Sequence, residues 1–594
     1  MKRGANGVTG SRVAASKGVS FSKSPVLAVS LPTWRSRVVL FVLFASFLAL
    51  AGRALWLQGM SNEFLIEQGK NRYQRTIELP ATRGKIMDRN GQVLASSLPV
   101  KSIWAYPDEL AKATPEMRSK FAVLIGMSDA ELRKKLRSDR NLVLLKRQVE
   151  MDAVDAIKKL GVPGLDMRQD YKRFYPQGEV MTHLVGFTNV EDRGQESMEL
   201  AQQEALAGST GSRRVIRDGR NRVVEDLGLS KQPHDGKDLT LSVDSKIQYI
   251  AFTQVKAAVE KFKAKAGAAV VLDVKTGEVL ALANWPTYDP NDRKKLTGAQ
   301  LRNRVITDTF EPGSTLKPFT VALAMDTGRI TPATRIDTGE GRYVINGAPV
   351  TDTKPHGVIT VAEIIEMSSN IGTSKIALNM PAQEMWEMFT EVGFGQQPKF
   401  GFPGAVAGRV RPYKSWRPIE QATMSYGNGI SVSLLQLARG YMMFARDGDT
   451  IPLSFQKVSE PPIGRQIIKP KTARDMREML ERVVSGEHGT AKQAQIPGYR
   501  AGGKTGTAYK VENGRYAMPR KYIGSFVGMV PMSDPRFIIA VMIDEPTTRE
   551  HFGGQVAAPT FAAVASNALR ALNIPPDSTV THVVVAPDSD EGVM

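Results

Sequence analysis

A serine stands three residues before a lysine, Ser314 and Lys317, in the segment FEPGSTLKPF. A serine hydroxyl is almost un-ionised at neutral pH, so a serine nucleophile needs a nearby base. A lysine amine, whose ordinary pKa is about 10.4, can be that base when burial or positive neighbours lower its pKa. The pair therefore predicts attack of the serine on a carbonyl carbon, which is acyl transfer.

The prolines around this pair predict where a helix begins. Residues i and i+3 lie on one helix face, so Ser314 and Lys317 meet if a helix starts near Ser314. Pro312 and Gly313 break the preceding chain, and Pro318 is tolerated only in a first turn. We therefore expect the serine at the positive end of a helix, which favours the anion formed when a carbonyl is attacked.

A second hydroxyl with an amide is needed to relay protons and hold substrate. The Ser-x-x-Lys spacing alone is weak evidence, because it recurs at Ser20 and at Ser454. Ser368 and Asn370, in the segment MSSN, supply the hydroxyl and the amide. Taken by themselves, these residues also fit the N-cap of a helix.

A cationic strand is needed to hold a substrate carboxylate, and the segment AGGKTGTAYK can supply it. Its candidate residues are Lys504, Thr505, Gly506 and Thr507. The glycines would let substrate lie against the strand edge, although the tripeptide alone also fits an ordinary turn. The same Lys-Thr-Gly tripeptide at 275–277 lies between two apolar strands, where we expect it to close a hairpin.

Composition excludes several classes of site. The chain of 594 residues has no cysteine, which excludes disulfides, thiol nucleophiles and cysteine metal sites. Its formal net charge of +19 suits nucleic acid, an anionic membrane surface or an anionic polymer. There is no zinc-finger spacing and no aromatic stacking motif, so we expect no nucleic-acid partner. With no Walker loop and no ligand cluster in the sequence, we expect no cofactor and no metal.

An apolar run near the N-terminus predicts a membrane anchor. Residues 38–57, VVLFVLFASFLALAGRALWL, have the length of roughly 20 residues that a spanning helix needs. Residues 1–37 carry seven Lys or Arg residues and no acidic residue, so the positive-inside rule predicts a cytoplasmic N-terminus. A cleaved signal peptide is the competing interpretation, but the run is long and no small-residue cleavage site follows it.

The chain divides into five predicted segments. These are a basic tail (1–37), a transmembrane helix (38–57), a pedestal domain (58–228), a second domain (239–575) and a flexible tail (576–594). The polar stretch at 229–238 is typical of a linker.

Local patterns predict mixed α and β structure. In the pedestal, Asn90-Gly91 fits a hairpin turn, and 127–139 and 152–161 have helical periodicity. The second domain has, in chain order, a helix capped by Asp244, a hairpin over 266–285, several helical patterns, strands at 525–531 and 536–546, and a closing helix at 559–572. This order predicts an α+β fold in which helices pack on an antiparallel sheet.

Three motifs follow one another along the chain, at Ser314–Lys317, at Ser368–Asn370 and at Lys504–Thr507. In that order they resemble the motifs of penicillin-binding proteins and class A β-lactamases. RGKIMDRNGQVLA at 83–95 resembles the N-terminal signature of class B penicillin-binding proteins. The segments 172–189 and 211–227 look like the division-specific FtsI branch, a family of peptidoglycan D,D-transpeptidases. The segment 194–206, GQESMELAQQEAL, differs from the family's usual Gly-Ile-Glu-Gly motif. This difference puts contacts within the pedestal in doubt but not acyl transfer.

The resemblance implies a fold and an activity. The fold is a single transmembrane helix, an elongated pedestal of the dimerisation type, and a transpeptidase domain similar to serine β-lactamases. The activity is crosslinking of peptidoglycan stem peptides at the septum of a Gram-negative bacterium, through a serine acyl-enzyme that β-lactams inhibit.

The resemblance also implies a role for each candidate residue. Ser314 would attack the penultimate D-alanine carbonyl, and a neutral Lys317 would take the serine proton. Ser368 and Asn370 would pass protons and bind the donor peptide, aided by Lys504.

The strand residues would hold the other end of the donor. Thr505 and Thr507 would bind its terminal carboxylate, and the backbone N–H groups of Ser314 and Thr507 would form the oxyanion hole.

The implied partners are stem peptides, β-lactams, an FtsW-type glycosyltransferase and other divisome membrane proteins. The implied location is the inner membrane, with the catalytic domain in the periplasm. Four alternatives stay open: an elongation-specific class B transpeptidase, a D,D-carboxypeptidase, a serine β-lactamase, and a non-catalytic receptor or divisome scaffold that kept the fold.

Overall fold

The computed structural model describes residues 32–60, 74–138, 140–218, 223–512 and 514–578. The chain divides into two compact units, one formed by Met1–Glu78 with Ser212–Lys231 and the other by Leu79–Gly211 with Gln232–Met594. The tail predicted at 1–37 lies almost wholly outside the described residues, as does the C-terminal tail from residue 579 onward.

The first unit contains an apolar helix and a small sheet. The helix Thr33–Leu55 continues into a π-helical turn at Trp56–Met60, and the span Thr33–Gln58 has a mean hydropathy of 2.3. It is long and apolar enough to cross a membrane, as predicted, although it begins five residues before the predicted run.

The sheet of the first unit corrects one expectation from the sequence. Its three strands are Gln74–Leu79, Gly211–Arg217 and Val223–Lys231. The last strand extends into the stretch predicted as a linker, because Leu229 and Lys231 pair with residues of the second strand. Pairing across the sheet, which the polar sequence does not signal, decides this boundary.

The pedestal part of the second unit is built on one long strand. Val93–Ala105 pairs with Ile86–Met87, Val143–Val149 and Leu165–Phe174, and Ile86–Met87 pairs in parallel with Leu239–Thr240. Its helices are Pro107–Leu110, Pro115–Leu124, Asp129–Leu136, Met151–Leu160, Thr182–Val185, Ser197–Ala201 and Gln203–Ala207. The predicted hairpin turn at Asn90-Gly91 is confirmed, with Gly91 at a φ of 86°.

A buried ion cluster holds this part together. Glu199 accepts hydrogen bonds from Arg83 Nε at 2.6 Å and from Arg173 Nε at 2.7 Å. The three side chains are at most 1 % exposed. Glu199 lies in the segment 194–206, whose sequence differs from the family's usual motif. This segment nevertheless supplies the carboxylate that pairs with the two buried arginines.

The second domain is centred on a five-stranded antiparallel sheet, the central sheet. Its strands in spatial order are Val279–Trp285, Ala266–Asp273, Phe537–Asp544, Tyr522–Val530 and Gly502–Tyr509. All residues of the two strands at the middle, Ala266–Asp273 and Phe537–Asp544, are buried, so both faces of the sheet are covered. Gly502–Tyr509 is an edge strand, which leaves one side of its backbone open.

Helices cover the central sheet, as the α+β prediction requires. They are Ser245–Lys261, Gly298–Leu301, Arg304–Thr307, Lys317–Asp326, Val361–Met367, Asn370–Leu378, Ala382–Glu391, Pro418–Ser425, Leu434–Gly440, Met442–Ala445, Pro470–Ser485, Gly553–Val556 and Ala558–Ala571. The remaining strands pair two by two: Thr309–Phe310 with Val432–Ser433, Arg335–Asp337 with Val358–Thr360, Arg342–Ile345 with Ala348–Thr351, Asp449–Thr450 with Arg465–Gln466, and Val511–Glu512 with Arg515–Tyr516. The N-cap predicted at Asp244 is confirmed, because its carboxylate accepts from the N–H groups of Lys246 and Ile247.

The buried ion cluster generates the first prediction. Glu199→Gln leaves two buried guanidinium groups without their carboxylate, a change that typically costs about 3–5 kcal/mol. We expect a large fall in the urea midpoint of the full chain in detergent, followed by tryptophan fluorescence. The matched control is Glu116→Gln, whose partner Lys120 is 63 % exposed and whose own side chain is 77 % exposed. A midpoint shift no larger than that of the control would contradict the role of the cluster.

Candidate active site

Ser314 lies in a tight turn that leads into a helix. Gly313–Leu316 is a 3-10 turn, and the α-helix runs over Lys317–Asp326. The α-helix thus begins three residues later than expected from the sequence. Pro318 has no N–H to give to the carbonyl of Ser314, and that carbonyl accepts from the N–H of Lys317 instead. Ser314 is half-buried at the N-terminal end of this combined element.

Lys317 is fully buried, and its amine is held by one neighbour. Nζ donates to the carbonyl oxygen of Ser368 and to Ser368 Oγ, the latter at 3.1 Å. Burial lowers the pKa of Lys317 well below its usual 10.5, the charge of Lys504 lowers it further, and Asp352 acts in the opposite direction. A depressed pKa is what a lysine needs in order to accept a proton at neutral pH.

Ser368 is placed by an unusual backbone conformation. It ends the helix Val361–Met367 in the left-handed region, with a φ of 65° and a ψ of 42°. Such a conformation is unfavourable for a non-glycine residue and persists only when the surroundings impose it. Ser369 then caps the helix Asn370–Leu378, accepting from the N–H of Gly372 at 2.9 Å. Ser369 is therefore the helix N-cap, and the adjacent Ser368 is the residue in contact with Lys317.

Asp352 supports this turn and was missed by the sequence reasoning. Its carboxylate accepts from Ser369 Oγ and from the N–H groups of Asn370 and Ile371. A carboxylate at the first amides of a helix is stabilised by the positive end of that helix. No local pattern singles out this residue, because it follows a short strand 16 residues before Ser368.

Lys504 to Thr507 lie on the edge strand of the central sheet. Lys504 is fully buried, and burial lowers its pKa to about 7. Thr505 Oγ1 is 3.1 Å from Thr490 Oγ1, and Thr507 Oγ1 accepts from the N–H of Gly553 at 3.0 Å. Each hydroxyl oxygen thus has a hydrogen-bond partner within the protein.

Gly506 brings this strand onto the turn that carries Ser314. A Cβ atom at Gly506 would lie 2.4 Å from Ser525 Oγ and 2.8 Å from the carbonyl oxygen of Pro312. A side chain at this position would therefore push the strand away from the turn. Its role in the structure is close packing rather than contact with the open cleft.

These elements surround one cavity of about 730 Å³. Five of the eight predicted residues line it: Ser314, Ser368, Asn370, Thr505 and Thr507. The other three, Lys317, Lys504 and Gly506, lie behind its wall. The structure thus brings the three motifs into one place, although 190 residues separate the first from the last.

Aromatic residues complete the cavity, and no sequence motif predicts them. Tyr426, Tyr509, Tyr522 and Phe552 line it, from four separate segments. The rings of Tyr509 and Tyr522 are 5.4 Å apart. They form an apolar wall beside polar hydroxyl groups, which is the composition expected of a ligand site.

The other occurrences of the motifs lie elsewhere in the fold. The tripeptide 275–277 closes the hairpin between two strands of the central sheet, as predicted. Ser454 donates to the carbonyl of Gln456, and Lys457 donates to the carbonyl of Arg89. The spacing at Ser454 is therefore coincidental, and Ser20 lies outside the described residues.

Comparison with known proteins assigns the family. The family model of the penicillin binding protein transpeptidase domain matches residues 267–566. The family model of the penicillin-binding protein dimerisation domain matches residues 78–241. The probable peptidoglycan D,D-transpeptidase PenA of Neisseria gonorrhoeae is 41 % identical over 555 residues, which are 93 % of this chain and 95 % of that protein. The chain belongs to the class B penicillin-binding proteins.

Further relatives agree with this class B assignment. The peptidoglycan D,D-transpeptidase FtsI of Escherichia coli is 38 % identical over 92 % of this chain and 94 % of that protein. The transpeptidase domain of Burkholderia pseudomallei penicillin-binding protein 3 is 56 % identical, covers 57 % of this chain and 98 % of its own, and has a TM-score of 0.53. A peptidoglycan synthetase from Bifidobacterium adolescentis, 24 % identical over 86 % of this chain and 98 % of its own, shares the fold with a TM-score of 0.69.

The buried Lys504 generates a prediction about stability and pH. Its pKa is about 7 in the folded protein against 10.5 ordinarily, so between these pH values the unfolded chain binds the additional proton. The free energy of unfolding therefore rises as the pH rises from about 7 to about 10.5. Lys504→Met removes this contribution, and we expect the variant to be more stable than the parent protein at pH 7 by more than about 1 kcal/mol.

The measurement is a series of urea unfolding curves between pH 7 and pH 10. The gap between Lys504→Met and the parent protein should shrink toward the alkaline end. The control is Lys471→Met, at a side chain that is 78 % exposed. Its free energy of unfolding should match that of the parent protein at every pH. Parallel stability curves for Lys504→Met and the parent protein would show that this lysine is not buried in a costly charged form.

Proposed function

We propose that this penicillin-binding protein is a serine D,D-transpeptidase that crosslinks peptidoglycan stem peptides at the division septum. The observation that carries the proposal is the contact of the buried Lys317 amine with Ser368, beside Ser314, at one cavity that Thr505 and Thr507 also line. The names of the PenA and FtsI relatives state D,D-transpeptidase activity, and the family assignment extends it to this chain.

The geometry supports a first half-reaction that forms an acyl-enzyme. Ser314 Oγ bonds to the carbonyl carbon of the penultimate D-alanine while its proton passes to the neutral amine of Lys317. The carbon–nitrogen bond then breaks, and the departing D-alanine amine takes a proton relayed from Lys317 through Ser368. The hydroxyl groups of Thr505 and Thr507 hold the terminal carboxylate of the donor.

The second half-reaction restores the enzyme. The side-chain amine of another stem peptide attacks the acyl carbon, and its proton passes to Lys317 or Ser368. The bond to Ser314 Oγ breaks, the oxygen regains a proton, and a crosslinked product leaves. Penicillins resemble the terminal D-alanyl-D-alanine and stop at the acyl-enzyme.

The proposal includes location and partners. The basic N-terminal tail supports a cytoplasmic N-terminus and a periplasmic catalytic domain. The candidate span at Thr33–Gln58 supports attachment to the inner membrane, where an FtsW-type glycosyltransferase and other divisome membrane proteins would be partners. Depletion tests the septal assignment, because filaments with blocked septa indicate division and round cells indicate elongation.

Two rival activities differ in their products. A D,D-carboxypeptidase would release D-alanine and yield only monomeric muropeptides, whereas a transpeptidase yields crosslinked dimers. A serine β-lactamase would hydrolyse its acyl-enzyme and turn penicillin over.

The nucleophile is tested by covalent labelling. We expect the full chain in detergent to bind about one equivalent of fluorescent penicillin, and Ser314→Ala to bind none, because the variant lacks the hydroxyl that we propose as the attacking group. Labelled bands are quantified on a denaturing gel. Ser454→Ala, which has the same spacing to a lysine, is the matched control and should label fully. Labelling that survives Ser314→Ala would refute the proposed nucleophile.

Asp352 is tested by the rate and pH dependence of acylation. Asp352→Ala removes hydrogen bonds to a charged group, each worth about 1.5–3 kcal/mol, so we expect acylation by penicillin to slow by roughly tenfold or more. Because Asp352 raises the pKa of Lys317, its removal should move the acidic limb of the pH profile to lower pH. The control is Asp337→Ala, at an exposed residue whose backbone carbonyl accepts from Lys375 on the helix Asn370–Leu378. A slower rate with an unmoved acidic limb would mean that Asp352 does not act on the lysine.

A further inference from the structure

A second cavity of about 840 Å³ adjoins the catalytic one. Tyr509 lines both cavities, and Glu311, three residues before Ser314, lines the second. Glu311 is fixed there, since it accepts from the N–H of Gly429 at 2.8 Å and from the hydroxyl of Tyr516 at 3.1 Å. The second cavity therefore begins where the turn of the nucleophile begins, on the other side of Tyr509.

The charges around this second cavity are mostly positive. Its lining has seven Lys or Arg residues and three Asp or Glu residues. Several of the cations are neutralised, because Lys510 pairs with Asp544 at 2.7 Å, Arg302 pairs with Asp308, and Arg411 pairs with Glu420 at 3.0 Å. These pairs use two of the three lining acids, Asp308 and Asp544, and Glu311 is held by its own hydrogen bonds.

Arg304 and Arg409 have no ion pair within the part of the chain that the structure describes. Arg304 is only 5 % exposed, and its side chain makes one hydrogen bond among the described residues, from Nη1 to the carbonyl of Arg302 at 3.3 Å. A guanidinium group stays charged in proteins, and its burial without an ion pair is unfavourable. Burial lowers the pKa of Arg304, and the charges of Asp308 and Asp544 act in the opposite direction without pairing with it. Arg409 is exposed on the same cavity.

A guanidinium group pairs best with a planar anion such as a carboxylate, through two parallel hydrogen bonds. The reaction itself needs a second substrate that carries carboxylates, since the amine that attacks the acyl-enzyme belongs to another stem peptide. The acyl part of the donor still occupies the catalytic cavity at that stage, so a neighbouring cavity would give the rest of the acceptor peptide room while its amine reaches the acyl carbon.

We propose that the second cavity binds the acceptor stem peptide, with a carboxylate of that peptide on Arg304 and its amine directed past Tyr509 and Glu311 to the acyl carbon on Ser314. This inference rests on the D,D-transpeptidase function proposed above. It gives the donor and the acceptor separate binding sites on the two sides of Tyr509, and it assigns the buried cation to recognition of the acceptor.

The test compares two acceptors in a transfer assay with the full chain in detergent. The donor is a synthetic N-acyl-D-alanyl thioester. One acceptor is a stem tripeptide that ends in a diamino acid and has free carboxylates, and the other is the same tripeptide with its carboxylates amidated. The readout is the ratio of transfer to hydrolysis as a function of acceptor concentration.

We expect the parent protein to reach half-maximal transfer at a concentration about tenfold lower for the free-carboxylate tripeptide than for the amidated one. Arg304→Gln should remove this preference, Arg304→Lys should keep part of it, and Arg409→Gln should reduce it. Arg570→Gln, at an exposed arginine on the helix Ala558–Ala571, is the matched control and should keep it in full. Penicillin labelling of each variant reports whether its catalytic site is folded.

Each outcome separates this inference from the proposed function. A preference that persists in Arg304→Gln and Arg409→Gln, with penicillin labelling intact, overturns the acceptor site and leaves the transpeptidase function standing. A parent protein that neither labels nor turns over the thioester overturns the function itself. If Arg304→Gln does not fold, as shown by lost labelling, the exposed Arg409→Gln decides by whether the preference falls.

Discussion

The proposed acyl transfer depends on keeping the amine of one lysine buried next to a serine. Water would hold Lys317 protonated at neutral pH, and a protonated amine cannot accept the serine proton. The fold removes that water, places Lys504 close enough to disfavour a second positive charge, and leaves Nζ in contact with Ser368. The arrangement is unfavourable for stability, since burial penalises the charged form that both lysines would have in water.

Close backbone contacts at glycine residues keep this arrangement in place. The edge strand, the turn of Ser314 and the short helix Gly553–Val556 approach one another through glycines. A Cβ atom at Gly553 would lie 2.3 Å from the carbonyl of Gly506, and one at Gly427 would lie 2.3 Å from the carbonyl of Gly313. Because these elements touch through backbone atoms, their spacing does not depend on flexible side chains, and the central sheet fixes the position of the strand.

The two cavities offer separate binding places for the two substrates of the proposed reaction. In the proposed reaction, threonine hydroxyl groups would bind the donor carboxylate, whereas the acceptor carboxylate would bind the Arg304 guanidinium, which has no ion pair among the described residues. Tyr509 lines both cavities, so under this proposal a single aromatic side chain of the edge strand would separate the binding of the two peptides.

Local sequence determined the elements whose causes lie within a few residues. The apolar run predicted the helix now found over Thr33–Leu55, Asn90-Gly91 predicted a hairpin, and Asp244 predicted a helix N-cap, because chain conformation at these places is set by neighbouring residues. The three motifs also identified five residues that line the first cavity, Ser314, Ser368, Asn370, Thr505 and Thr507. The 3-10 turn at Ser314 is also local in origin, since Pro318 has no N–H to give to the carbonyl of Ser314.

Only the tertiary structure decided contacts between distant segments. Asp352 supports the turn at Ser368 from another part of the chain, Glu199 joins two arginines from motifs 90 residues apart, and Arg304 loses its water because strands and helices from elsewhere close around it. The strand Val223–Lys231 likewise forms only because partners pair with it. Burial and the charge of through-space neighbours control these residues, and neither is encoded in the few residues on either side of each one.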